Sequence, residues 1–471
     1  MFFSALHQQF VGKVSFPITQ YCFNRRGIGR EFHRSCHSEI MPENLISELQ
    51  IQHLRITLKH AIRFVPYYES LFKRAGLQPE DIRSLSDISA IPPLSRDNVI
   101  EARLSLIDRR YRASVEAANR STRGPAEPMP FARFKKFPLV RNTSSGSTGA
   151  PTIFYEDGTI SAISWANELR IRRWYGLHPG IREARLVRVS PDFVMKNKAN
   201  KIRRLLWNQM ILPGVNLTDK EYSLIIEQLR QFKPQVIWAF TAAAAGVARY
   251  MVEQRFISTA YSPRLVITWA APLYKHERMI IEKAFGSSIG NIYGMREVGH
   301  IGAYCPAGSL HVFQESHLVE TDSNGELLVT FLRPSPMPFI RYRTGDLGET
   351  VYERCSCGRT LQIIKQFHGR TGEIYTTEDG RMFSPNFWCR TFMDARLAME
   401  VKRFQIIYAK DRSIKVRMVL DENKRSDAEI ILRQTVIKNF GRNQALSFEY
   451  SQEIAPQISG KYQMVINENQ S

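Results

Sequence analysis

Between residues 140 and 329, short runs rich in β-branched and aromatic residues alternate with longer amphipathic stretches, and that alternation narrows the fold class at once. The runs 184–189 (ARLVRV), Val236–Phe240 (VIWAF), 264–269 (RLVITW) and 289–293 (IGNIY) read as strands. Segments such as Asp219–Phe232 and Lys275–Phe285 between them carry apolar residues at helical spacing. Parallel strands need a crossover of helix length, so this order predicts α/β layers around largely parallel sheets. The stretch 326–351 lacks intervening helices and reads as antiparallel strands. Beyond Gly372, strand-like runs at 404–408, 413–419 and 447–450 surround a helix over 426–439, which makes a small α+β unit. Upstream, Leu45, Leu49, Leu54, Leu58, Ala61 and Ile62 recur at helical spacing until Val65-Pro66 closes the pattern. Residues 1–41, basic and aromatic without a clean period, read as a peripheral arm.

A chain of 471 residues exceeds one ordinary core, so two or three domains are expected. Its 65 Lys/Arg against 45 Asp/Glu leave a net charge of +20. The excess gathers at 103–141 and 170–204, with no helix-turn-helix, zinc-finger or ribonucleoprotein signature, which argues against nucleic acid. A solvated basic face is the plainest reading of these stretches; attraction of anionic substrates or peripheral contact with a membrane surface are the others. The longest nearly apolar run, 236–248, is shorter than the roughly 20 residues of a spanning helix. The opening residues lack a secretory pattern, and six unevenly spaced cysteines fit a reducing compartment, so a cytoplasmic location is expected.

Five hydroxyl side chains and two glycines crowd the segment Thr143-Ser144-Ser145-Gly146-Ser147-Thr148-Gly149. Such a loop makes a poor helix or strand but can turn backbone N–H and hydroxyl donors toward a phosphate. Downstream follow Asn291-Ile-Tyr-Gly-Met-Arg-Glu297, Phe339-Ile-Arg-Tyr-Arg-Thr-Gly-Asp346, Gly369-Arg370 and Ser459-Gly-Lys461, in that order. With these motifs the chain resembles, from about residue 44 to its end, the adenylate-forming superfamily, in the branch of phenylacetate–CoA ligases and capsular polysaccharide biosynthesis (CapK-type) proteins. The resemblance implies a large N-terminal domain over 42–371 and a small mobile C-terminal domain over 372–471 that turns about Gly372.

It also implies ATP-dependent activation of a carboxylic acid to an acyl-adenylate, followed by transfer to coenzyme A. Residues Thr143 to Gly149 would then hold the β- and γ-phosphates; Tyr293 and Gly294 would lie beside adenine, and Glu297 would position Mg²⁺. Asp346 would accept both ribose hydroxyls, Arg370 would accompany ribose and phosphate, and Lys461 would neutralise charge during adenylation. Two positions depart from the family pattern: Ala150 stands where a lysine is common, and Arg296 replaces a threonine near the α-phosphate, as a charge clamp or an obstruction. Cys305, His311, Cys355 and Cys357 offer the ligand set of a closed zinc site, which several members of the branch carry; His317 competes for the fourth position, and buried free cysteines are the plainer account. Aromatic residues around 238–241 and 269–272, after predicted strands, suggest a flat, apolar acid but are equally at home in a core. His300 is read as structural rather than facing that pocket. A CapK-type enzyme with a sugar-type acceptor instead of CoA is the main rival reading, and a non-catalytic scaffold of the same fold the next.

Overall fold

The computed structural model describes residues 2–15, 27–115, 139–143, 152–187, 205–215, 217–256, 261–370, 375–377, 381–383, 385–394, 401, 403–454 and 463–470. Strands β1 (Val140–Thr143) and β2 (Ile153–Glu156) pair as an antiparallel hairpin, with Thr143 opposite Ile153. The Ser/Gly segment 144–149 that connects them in sequence lies outside the described residues.

The sequence alternation becomes β3 (Glu183–Val187), β4 (Gln209–Pro213), β5 (Val236–Phe240), β6 (Leu265–Trp269) and β7 (Ser288–Met295), all parallel. Then β8 (Gly299–Tyr304), β9 (Leu310–Val312), β10 (His317–Thr321), β11 (Glu326–Phe331), β12 (Tyr342–Val351) and β13 (Ile363–Arg370) continue the same sheet with antiparallel pairing. The order across its eleven strands is β10-β11-β12-β13-β9-β8-β7-β6-β5-β3-β4, so direction reverses between β7 and β8.

Side chains alternate across the parallel half. Ile237, Val266 and Ile289 pack against Ile225, Val247 and Ile281 from the crossover helices. On the other face Trp238 and Ile267 meet Ile171 and Trp174 of the helix Thr159–Trp174. That helix ends where Gly176, at φ 68°, donates its N–H to the Arg173 carbonyl and Leu177 donates to Arg172, a left-handed stop that suits glycine. Past a β14 (Tyr375–Thr376) and β15 (Met382–Phe383) hairpin, the C-terminal sheet β18-β17-β16-β19 comprises β16 (Arg403–Tyr408), β17 (Ile414–Val419), β18 (Leu446–Tyr450) and β19 (Val465–Asn467). Ile406, Val416 and Met418 bury against Leu432 and Val436 of the helix Arg425–Phe440, which gives this unit its own core.

Two expectations change. The basic stretch 170–204 is not a solvated face where it is described: Arg170 is fully buried, its Nε donating to Glu39 at 3.0 Å and its Nη1 to Glu315 at 2.7 Å. Arg172 and Arg185 pair with Glu183 and Glu168 beneath Trp238. The arm expected over residues 1–41 is folded onto the body across Ile28–Glu39, where Ser38 Oγ donates to Glu315 and Glu39 also accepts from Arg173 at 2.6 Å. No helix among the described residues is long and apolar enough to cross a membrane.

Between the main body and the C-terminal unit, Arg249, His276 and Glu277 face Arg403, Phe404 and Met464 across a cleft. Burial pushes the Glu277 carboxyl up from 4.5 to about 7, against the Tyr274 N–H and the nearby Arg249 and Arg403. The folded state therefore keeps a proton that the unfolded chain has released, so this group's contribution to stability falls as pH rises from about 4.5 to about 7 and is flat above. Glu277→Gln is expected to flatten that part of the curve of melting temperature against pH. Parallel curves for variant and wild type would disprove the assignment.

Candidate active site

Tyr293, near the end of β7, donates its hydroxyl to Asp346 Oδ2 at 2.9 Å, while Phe367 packs edge-on against its ring with centroids 4.9 Å apart. Two of the motifs, fifty-three residues apart, thus share one hydrogen bond. Asp346 is set by its own turn: the Thr344 hydroxyl donates to the Leu327 carbonyl at 2.8 Å and accepts the Asp346 N–H at 3.0 Å. Gly345 between them sits at φ 73°, where its N–H reaches Glu326. The carboxylate is half-buried, and its backbone lies opposite Arg370 across β12 and β13; the Arg370 side chain lies outside the described residues.

The arginines of Arg341-Tyr-Arg343 are scaffold rather than site. Arg341, at φ 49°, grips Glu320 and the carbonyls of Ser89 and Ile91, and Leu94 adds backbone bonds to Arg341 and Arg343. Arg343 holds Asp322 and Glu326. The Ile91-Pro-Pro-Leu94 turn is thereby tied to the strand that presents Asp346.

Arg296 is exposed, and its Nη1 donates to the Thr143 carbonyl at 2.8 Å. Its guanidinium is thus spent at the mouth of the Ser/Gly segment rather than standing free. Glu297, next to it, is buried. Tyr293, Gly294, Arg296, Glu297, Asp346 and Thr143 are therefore joined through the β7–β8 turn and its two hydrogen bonds, whereas Ser144 to Gly149, Gly372 and Lys461 lie outside the described residues.

Sequence reading placed 269–272 beside the expected acid pocket but missed the left-handed backbone of Ala270, which takes φ 72° just past the end of β6. Thr241 Oγ1 lies 3.2 Å from the Trp269 carbonyl and 3.1 Å from that of Ala271, and Asn291 Nδ2 reaches Ala271 as well. A left-handed alanine costs about 1–2 kcal/mol and persists only where neighbours fix it, commonly at functional sites. Its one sequence signal was Ala271-Pro272 directly after a strand. Of the aromatic residues expected to line an acid pocket, Trp238 belongs to the core at 1% exposure, while Phe240 and Trp269 remain half-buried at the strand ends, 5.2 Å apart. His300 is structural, its Nδ1 donating to the Ser164 carbonyl at 3.2 Å.

Cys305, His311, Cys355 and Cys357 bring their ligand atoms within 4.8 Å of one another. Cys305 Sγ and Cys355 Sγ stand 3.7 Å apart, too far for a disulfide near 2.05 Å and close to the edge of about 3.8 Å that follows from tetrahedral zinc–sulfur bonds of about 2.3 Å. Both cysteine loops close with a glycine at positive φ: Gly308 donates to the Cys305 carbonyl and Gly358 to that of Cys355. His311 Nδ1 donates to the Leu361 carbonyl at 3.1 Å, which turns Nε2 toward the cysteines, 3.3 Å from Cys357 Sγ. His317 is no rival, because its two nitrogens are engaged by Ser316 and the Val298 carbonyl.

Arg296→Ala should free the Thr143 carbonyl and speed amide hydrogen exchange in the hairpin Val140–Glu156, at a stability cost of no more than about 1 kcal/mol for one exposed hydrogen bond. Unchanged exchange there would show that Arg296 does not brace the hairpin.

The chain compares with known proteins as follows. A family model, the CapK C-terminal domain, matches residues 376–468. The chain is 25% identical over 359 residues to the phenylacetate-coenzyme A ligase of Thermus thermophilus, covering 71% of this chain and 73% of the relative. It is 26% identical over 353 residues to the Escherichia coli protein of that name, covering 70% and 72%. Among solved structures, 2-hydroxyisobutyryl-CoA ligase in its postadenylation state with 2-HIB-AMP superposes with a TM-score of 0.68 at 17% identity, covering 92% of each chain, a likeness of fold. The motif order, the paired Tyr293 and Asp346 and these relatives agree: the chain is similar to phenylacetate-coenzyme A ligases over about 70% of its length, and its C-terminal unit matches the CapK C-terminal domain.

Proposed function

We propose that this chain is an acid–CoA ligase that uses Mg-ATP to activate a small carboxylic acid and passes the acyl group to coenzyme A. The observation that carries the reading is the Tyr293–Asp346 hydrogen bond beside the Arg296–Thr143 contact, which gathers the adenosine and phosphate motifs around one turn. In the first step a carboxylate oxygen attacks the α-phosphorus of ATP, the bond to the β-phosphate oxygen breaks, and pyrophosphate leaves. In the second, the CoA thiolate attacks the acyl carbon and AMP leaves with the carbon–oxygen bond electrons.

In this reading Asp346, oriented by Tyr293, accepts the ribose hydroxyls, as a fixed carboxylate does well. Arg370 assists at ribose and phosphate. Thr143 and the donors of Ser144 to Gly149 hold the outer phosphates, and Arg296 fixes that loop's entry through the Thr143 carbonyl, a bracing role in place of the missing hydroxyl. Glu297 holds Mg²⁺, which supplies charge neutralisation on the polyphosphate. Lys461 supplies the cation for adenylation. Phe240 and Trp269 suit a flat apolar acid. Dependence on Mg-ATP fits a cytoplasmic location.

A second reading, a CapK-type enzyme whose acceptor is a sugar amine or hydroxyl, draws support from the family match over 376–468. Pyrophosphate release across a panel of carboxylic acids, with and without CoA, separates the two: thioester formation supports the ligase, whereas release indifferent to CoA with hydroxamate trapped by hydroxylamine supports the other acceptor. Asp346→Ala should weaken ATP binding without unfolding the protein. Lys461→Ala should slow adenylate formation about 100-fold or more while sparing thioester formation from preformed acyl-adenylate. Equal loss in both half-reactions would assign Lys461 a structural role.

The Cys305, His311, Cys355 and Cys357 set fits zinc by donor chemistry and spacing, and with four protein ligands it would be structural. About one zinc per chain is expected by elemental analysis, and chelation should lower the melting temperature before it affects turnover. Protein purified without metal and equally stable would remove zinc from this account.

A further inference from the structure

The cleft between the main body and the C-terminal unit gathers polar groups without pairing them. Arg249 of the helix Thr241–Glu253 lines it, with His276 and Glu277 from the first turn of the helix Lys275–Phe285; Arg403 and Phe404 of β16 form the opposite wall. Among the described residues Arg249 makes no hydrogen bond or ion pair. Burial, and then the cation of Arg403, hold its guanidinium below the ordinary value, so the two charges stand close enough to repel. His276 Nδ1 is buried with no partner among the described residues, and burial with the nearby Arg249 holds the ring at about 4, hence neutral. The Glu277 carboxyl lines the same cleft but accepts the Tyr274 N–H at 3.2 Å instead of pairing with Arg249.

A desolvated guanidinium facing a second one is an unfavourable arrangement unless an anion lies between them. Glu277 does not take that place, because its carboxyl is bonded at the helix start and keeps its proton up to about 7. The donors converge from different walls: two guanidiniums, an imidazole nitrogen and, when protonated, the Glu277 hydroxyl. A planar carboxylate is matched by a single guanidinium fork, whereas a tetrahedral oxyanion presents oxygens in several directions at once. The amino end of the helix Lys275–Phe285 adds its dipole in favour of negative charge. Ile280, Phe392 and Met464 complete the walls with apolar surface, which strengthens any charge pairing inside.

We propose that this cleft binds a phosphoryl group, which bridges the main body and the C-terminal unit through Arg249 and Arg403. Its residues are distinct from those gathered around Tyr293 and Asp346. The group is either free inorganic phosphate or a phosphate monoester, of which the 3′-phosphate of coenzyme A is the one the ligase reading supplies; that second source rests on the ligase reading and the first does not. Binding strengthens as pH falls through about 7, because Glu277 then gains its proton, ceases to offset the guanidiniums and can itself donate. The charges acting on Glu277 are Arg249 from its neighbouring helix and Arg403 from β16, while Glu253 and Tyr222 act on Arg249 in turn.

The test is titration calorimetry of the full chain with inorganic phosphate, with sulfate as a dianion of constant charge near neutral pH, and with acetate as the planar control. Phosphate and sulfate are expected to bind, roughly tenfold or more weakly in Arg249→Gln and in Arg403→Gln at unchanged melting temperature. ATP affinity should be unaltered in Arg249→Gln, which separates this cleft from the Ser/Gly segment. Sulfate affinity should rise several-fold in wild type between about pH 8 and pH 6 and stay level in Glu277→Gln. A KM for coenzyme A raised roughly tenfold in Arg249→Gln, with that for dephospho-coenzyme A unchanged, supports the proposal with the 3′-phosphate as source. Loss of phosphate binding with both KM values unchanged supports it with free phosphate as source. No binding, binding untouched by both arginine substitutions, acetate held as tightly as sulfate, or a wild-type sulfate affinity that does not rise as pH falls overturns it. Because the calorimetry needs no turnover, failure of this site and failure of the ligase reading are distinguishable.

Discussion

The turn from β7 to β8 can close only because positions 294 and 299 lack a Cβ. On Gly294 a Cβ would stand 2.5 Å from the Gly299 carbonyl oxygen; on Gly299, at φ 80°, it would stand 2.7 Å from Ser164 Oγ and 2.8 Å from Ile160. All three contacts are shorter than a Cβ tolerates. The turn therefore lies flat against the helix Thr159–Trp174, and this is where the sheet changes from parallel to antiparallel pairing. Tyr293 precedes the turn and reaches Asp346, while Arg296 within it reaches Thr143. One steric constraint thus fixes the direction of two side chains that join three distant segments of sequence.

The helix beneath that turn is held by charge as well as by packing. Arg170, with no exposed surface, lies between Glu39 and Glu315 and over the Phe313 ring at 4.9 Å. Arg185 is paired with Glu168 and Glu183 against Trp165 and Trp238. Removing one partner from such a buried set costs about 3–5 kcal/mol, because the remaining charges keep their desolvation penalty. These pairs join the N-terminal segment, the helix and the sheet into one body, which accounts for Arg170, Arg172, Arg173 and Arg185 in the basic stretch.

Much of the fold was legible in the chain. Strand runs at 236–240, 264–269 and 289–293 and helices at Asp219–Phe232 and Lys275–Phe285 stand where periodicity put them, because each buries a complete face in a local crossover unit. The burial of Arg170 was not legible, since its partners Glu39 and Glu315 lie more than a hundred residues away on either side. Within the site, Tyr293 and Asp346 were readable as motif members, but their mutual hydrogen bond was not. Arg296 was read as clamp or obstruction because a sequence gives a side chain's size and charge but not its direction; the carbonyl it seeks belongs to another motif. Ala270 escaped because nothing in alanine's chemistry announces a left-handed backbone, which its neighbours Thr241 and Asn291 impose.

The cysteine cluster and the adenosine motifs, which look independent in sequence, are mechanically linked through β13. His311 lies on β9, opposite Ile363 of β13, and Cys355 and Cys357 occupy the loop that leads into that strand. The cluster of these four side chains sits where β13 begins and where it registers with β9. From there β13 runs along β12, through a register shift between Leu347 and Glu349, until Gly369 and Arg370 stand opposite Leu347 and Asp346. A slip at the start of a strand exchanges its two faces, so an anchored start is what keeps Arg370 opposite Asp346 at its end. The Cys/His cluster at the start of β13 and the Asp346 turn opposite its end are therefore two ends of one strand ladder, and what holds the register at the first bears on the second.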